Sequence, residues 1–214
     1  EGTISAMVAS AEETKQPEAR KELWQTVAFL ARLHEKWDLA AKATGEWLQL
    51  LGDQALWYNL MGYGDTLLSA GEPELAAAQY GKAWSIEPSN PALLYLKAVA
   101  LDAAGKAELA ARLKQKASLM ATGDMSKRHY LAYYMWLHND QEMARKQDRL
   151  ILRLANPREG VHAEALRRRY ADLKLHGTPG EAATALEFYM LSKLQPMNQK
   201  HVISRKAALG YAID

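Results

Sequence analysis

Between Trp57 and Pro88 the apolar positions fall at helical rather than strand spacing. Leu60, Tyr63, Gly64 and Leu67 mark one face of a first helix, and Ala76, Tyr80 and Ala83 mark one face of a second. Gly71 ends the first helix, because glycine tolerates the left-handed conformation just past a helix C-terminus. Pro73 opens the second, in a first-turn position where its missing N–H costs nothing. Pro88 closes the unit. Gly64 and Ala76 lack bulk, so the two antiparallel helices approach closely and larger neighbours fill the space around the contact. No sustained two-residue alternation and no Asn-Gly or Asp-Gly hairpin occurs, so the chain reads as all-α.

The same spacing recurs along the chain. A unit from Pro91 carries Leu94, Ala98, Leu101, Gly105, Ala110 and Ala117, with Lys114 at the aromatic position and Thr122 at the proline position. A unit from Met125 carries Leu131, Ala132, Met135, Ala144 and Ile151, with His138, Asn139 and Asp140 as its turn and Pro157 at its close. An earlier unit from Lys21 carries Trp24, Val27, Ala28, Ala31, Ala40 and Trp47, and its turn lacks a glycine. A looser fifth unit follows a "REGVHAE" insertion, with Leu166, Leu173, Gly180, Ala185 and Tyr189, and Pro196 at its close.

The 57–90 unit resembles a tetratricopeptide repeat, whose pattern of a large residue, Leu, Gly, Tyr, then Ala, an aromatic, Ala and Pro is met by Leu60, Tyr63, Gly64, Leu67, Ala76, Tyr80, Ala83 and Pro88. Leu60 stands where Trp is usual, and Leu67 where Tyr is usual. The resemblance implies a right-handed superhelical array of antiparallel helix pairs over residues 21–199, divided 21–56, 57–90, 91–124, 125–158 and 166–199. Residues 1–20 are expected to form an N-terminal capping helix, and 200–214 the first helix of a truncated repeat or a cap. An array does not naturally stop on an unburied face, so the parent protein is expected to continue past Asp214. With no initiator Met, the chain reads as a fragment or a processed form. Another α-solenoid, such as the helical arm of a larger enzyme, is the alternative fold reading.

In such an array the concave surface is lined by the second, fifth, ninth and twelfth positions of each first helix. These positions carry Phe29, Tyr58, Met61, Tyr95, His129, Tyr133, Trp136 and Tyr170. Large aromatics with polar tips suit a recognition groove. The expected function is a non-catalytic scaffold that holds a protein or peptide there, with a polysaccharide as an open second ligand class. The alternatives are the repeat region of a bacterial polysaccharide-secretion or envelope-assembly protein, and the arm of a larger enzyme or regulator. The Lys, Asn and Arg clamp with which some family members grip a C-terminal carboxylate is missing. Gln25, Phe29, Met61 and Asp65 stand at its positions.

Composition sharpens this little. The absence of cysteine excludes disulfides, cysteine metal sites and a cysteine nucleophile. It leaves cytoplasm and periplasm open. No apolar run approaches membrane-spanning length, so no membrane insertion is expected in this segment. The net charge of +2 is uneven: residues 1–110 hold 9 basic and 15 acidic side chains, and residues 111–214 hold 18 and 10. A basic C-terminal half can meet an acidic partner. Arg167, Arg168 and Arg169 are the densest basic cluster, but consecutive residues fan around a helix, and at least one should meet neighbouring acids or water. Nucleic-acid binding is disfavoured, since it wants a basic stripe interleaved with aromatics. His34, His129, His138, His162, His176 and His201 match no zinc spacing, and no phosphate loop or nucleophile elbow is present. No catalytic residue, cofactor or metal is therefore expected. Self-association through the C-terminal helix is the remaining partner class.

Overall fold

The computed structural model describes residues 2–156 and 159–193. Pro157, Pro196 and the 200–214 segment lie outside the described residues, so the repeat ends expected there are not addressed. Every regular element described is a helix, and within each unit most packed helices are consecutive along the chain. The chain divides into two compact units, residues 1–117 and 118–214.

In the first unit, α1 (Gly2–Glu13) is followed by α2 (Pro17–Leu33), α3 (Trp37–Leu51), α4 (Trp57–Ser69), α5 (Pro73–Ile86), α6 (Pro91–Ala103) and α7 (Ala107–Leu119), whose last residues cross the boundary. Proline opens α2, α5 and α6, where its fixed φ suits the first turn and no N–H is needed. Asn90 caps α6 by accepting a hydrogen bond from the Ala92 N–H at 3.1 Å. The first hairpin starts at Pro17, four residues before the expected Lys21, so the N-terminal helix is shorter than 1–20. Ile4 and Ala11 of α1 pack with Trp24, Val27 and Ala28 of α2 and Ala43 of α3.

In the second unit, α8 (Met125–Leu137), α9 (Gln141–Leu154), α10 (Gly160–His176) and α11 (Pro179–Lys193) share a core of Ala132, Ile151, Leu152, Ala165, Leu166 and Phe188. Most of the expected insertion, from Gly160 on, is helical. Gly160 to Glu164 form the first turns of α10, and His162 and Ala163 are buried there, so the extra residues lengthen the helix instead of looping out. Gly180, one of the fifth unit's pattern positions, lies in the first turn of α11. The turn before it is made at Gly177 and Thr178, where Thr178 and Glu181 form a reciprocal capping box: the Thr178 N–H donates to the Glu181 carboxylate at 2.9 Å and the Glu181 N–H to Thr178 Oγ1 at 3.3 Å.

The hairpin turns repeat in atomic detail. Glu35, Gly71, Gly105 and Asn139 all take positive φ, at 55°, 80°, 77° and 62°. In each case the next N–H donates back to a carbonyl five residues earlier: Lys36 to Ala31 at 2.8 Å, Glu72 to Leu67 at 2.9 Å, Lys106 to Leu101 at 2.9 Å and Asp140 to Met135 at 2.8 Å. This is the Schellman closure of a helix C-terminus. The helices α4, α6 and α8 begin at Trp57, Pro91 and Met125, and α5, α7 and α9 at Pro73, Ala107 and Gln141, both series stepping by 34 residues.

Candidate functional site

The second unit carries an open cleft of about 410 Å³ between the C-terminal halves of α8 and α10. One wall is Tyr133, Trp136 and Leu137 of α8; the other is Arg167, Arg168, Ala171, Asp172, Leu175 and His176 of α10, with Gln141 of α9 at the end. The periodicity of α8 explains its wall. Leu131, Ala132 and Met135 are buried as one stripe, which turns Tyr133 and Leu137 outward.

Beneath the cleft lies a buried polar network. Asp148 occupies a core-facing position on α9, one turn after Ala144 and one before Ile151 and Leu152, all of which are buried. A carboxylate there requires a cation. Arg168 supplies it, donating from Nη2 at 2.6 Å and Nε at 3.1 Å to Asp148 Oδ1. The Trp136 indole Nε1–H donates to Asp148 Oδ2 at 2.8 Å, which fixes the ring that lines the cleft. Arg168 Nη1 also lies 3.1 Å from His129 Nδ1. A guanidinium has no acceptor, so Nδ1 must accept, and His129 is the neutral tautomer protonated at Nε2. Burial first, and then the Arg168 charge, hold the His129 pKa below its ordinary value.

A second ion pair borders the first. Arg145 donates to both Asp172 oxygens, at 2.9 Å from Nε and 2.7 Å from Nη2, and its guanidinium sits 5.9 Å from the Trp136 ring centre. Arg169 reaches the same carboxylate at 3.6 Å. The Asp172 bond raises the Arg145 pKa. Arg167 pairs with Glu164 at 2.7 Å. All three consecutive arginines therefore meet acids, each on a different side of α10. At the base of α8, Arg128 bonds the Gln147 side chain and the Met120 carbonyl, and Gln147 donates to the Ser118 carbonyl at 3.1 Å, which locks α8 to α9.

The eight expected groove residues separate. Tyr133 and Trp136 line the cleft, and His129 stands in the network behind it. Tyr170 is half-buried on α10. In the first unit Phe29 and Tyr58 are exposed and Met61 is half-buried. Tyr95 overturns the expectation of a lining position: it is wholly buried. Helix α6 is apolar around most of its circumference, and Pro91 to Leu96 are all buried, so the residue is core. The Lys114 ammonium lies 6.0 Å from its ring centre and pairs with Asp102. Asp148, Asp172 and Arg145 escaped the sequence reading. The available signal was Asp148 itself, a carboxylate in the apolar stripe of α9.

Among the described residues, no group of three or more histidine or acidic side chains is placed to hold a metal ion, and no helix is long and apolar enough to cross a membrane. No protein-family model and no curated protein matches the chain.

Proposed function

We propose that this chain is a tetratricopeptide-like α-solenoid that serves as a non-catalytic scaffold, and that the α8/α10 cleft is where it holds a peptide segment of a partner protein. Two observations support the repeat reading: the 34-residue step of the helix starts, and the recurring left-handed turn at Gly71, Gly105 and Asn139. The single observation that carries the binding reading is the cleft, in which Tyr133, Leu137 and Leu175 stay exposed beside a Trp136 ring fixed by Asp148. Preorganised aromatic walls reduce the ordering cost of binding. Exposed apolar side chains gathered in a concavity mark an interaction site more than scattered ones do. The acids lining or underlying the cleft are each held by arginine side chains.

The test uses the protein as bait in lysate of its source, beside a Tyr133→Ser/Leu175→Ser variant. These two side chains are exposed, so the variant should melt like the parent. A partner captured by the parent and lost by the folded variant supports the reading. Identical capture by both removes it.

A further inference from the structure

The walls of this cleft are asymmetric in charge at the surface although nearly balanced in formal count. Asp148 and Asp172 lie underneath, each with its side chain 4% exposed. Arg168, the partner of Asp148, is itself only 8% exposed, whereas on the α10 wall Arg167 keeps 53% against 34% for Glu164. Lys174 and His176 are exposed at the same end of α10. Of the two arginines that line the cleft, Arg167 is the one that faces solvent, beside an apolar strip of Tyr133, Leu137 and Leu175.

Resting on the scaffold reading above, we propose that the occupant is an acidic segment of a partner protein, with a large apolar side chain seated against Tyr133, Leu137 and Leu175 and a carboxylate laid over Arg167. Arginine forks bind carboxylates in two-point geometry and are weakly hydrated, so they suit this edge better than ammonium groups would. Asp148 and Asp172 are each already paired with arginine, which limits their repulsion toward such a segment. Recognition here needs no terminal carboxylate, because Arg167 lies on the wall of the cleft. The volume of about 410 Å³ fits one or two side chains rather than a whole helix.

A random dodecapeptide library with blocked, amidated C-termini, selected on the intact chain, tests this. The expected winners carry net negative charge and at least one large apolar residue. Their binding should weaken about tenfold or more in Tyr133→Ser/Leu175→Ser, as anchor loss does at interfaces. It should also weaken in Arg167→Gln and as salt screens the pairing. Winners that are neutral or basic, yet lost in the double variant, overturn the acidic partner and leave the scaffold standing. Acidic winners that bind the double variant unchanged overturn the site. No enrichment over bare matrix overturns the scaffold reading, and this inference with it. A dimer in sedimentation that the double variant dissolves makes a second copy the occupant and likewise overturns the proposal.

Discussion

The phenol ring of Tyr80 fills the space that a side chain at Gly64 would need. A Cβ on Gly64 would lie 2.6 Å from Tyr80 Cε1 and 2.8 Å from Cζ. The ring cannot swing away cheaply, because the Tyr80 hydroxyl donates to Asp65 Oδ1 at 2.7 Å and the side chain is wholly buried. Two residues earlier on the same helix, a Cβ on Gly62 meets nothing within 4 Å. The two glycines therefore predict opposite signs. Gly64→Ala should destabilise the first unit by about 1–3 kcal/mol through overpacking. Gly62→Ala should stabilise it by about 0.5–1 kcal/mol through helix propensity. Urea melts of the two variants check this; shifts of the same sign would refute the packing at α4 and α5.

The four left-handed turns differ only in who occupies them. Gly71 and Gly105 take positive φ without a steric penalty, and Asn139 tolerates it, but Glu35 at φ 55° has a Cβ that crowds its own backbone. Glu35→Gly should raise stability by about 0.5–1 kcal/mol, net of the entropy that glycine adds to the unfolded chain. Gly71→Ala should lower it by a similar amount. Thermal unfolding monitored by circular dichroism reads both, and a Glu35→Gly variant less stable than the parent would discard the account.

These turns also show what a sequence discloses. Small residues at helical spacing and the Gly-Glu-Pro punctuation made the α4/α5 pair legible to the residue, since local sterics alone decide those positions. The turn at Glu35 was placed without its glycine because the flanking apolar stripes fix where one helix must stop. Residues 160–164 are helical although they fall in the stretch read as an insertion, because buried His162 looks polar in sequence and its burial depends on tertiary packing. Tyr95 failed for the converse reason: a concave position is exposed only if nothing covers it, and the unbroken apolar run from Pro91 to Leu96 was the local sign that α6 is covered on most sides. Within the cleft, Tyr133 and Trp136 stand at positions that the repeat resemblance implies for one helix face. The acids beneath them were not legible, because an ion pair between α9 and α10 joins residues 20 positions apart.

That pair should dominate the second unit's response to mutation. Asp148→Ala leaves a buried Arg168 without its carboxylate and strips the Trp136 indole of its acceptor. Removing one member of a buried pair costs about 3–5 kcal/mol. Arg168→Leu with Asp148→Leu, which removes both charges, should cost far less than Asp148→Ala and Arg168→Ala added together. A double-mutant cycle measures the coupling, and additive losses would show that the two side chains do not interact.

His129 makes the same network sensitive to acid. Its neutral Nδ1 accepts from Arg168, and burial together with that cation depresses its pKa below 6.5. Asp148 and Glu164 pull the other way and Arg167 adds to the depression, but the net direction is down. The unfolded chain therefore binds a proton at higher pH than the folded one does. Stability from this residue is complete above the unfolded value of about 6.5, and is lost as pH falls from there through the depressed folded value. His129→Asn places a carbonyl near the Nδ1 position and cannot titrate, so it should flatten the pH dependence of unfolding in that window while keeping the Arg168 contact. Denaturant midpoints collected from mildly acidic to neutral pH compare the two chains. A variant whose slope matches the parent's would assign the acid sensitivity to another group. Because Arg168 and Trp136 share Asp148, the same protonation should loosen the cleft wall before the unit unfolds, and Trp136 fluorescence should change ahead of the helical signal as pH falls.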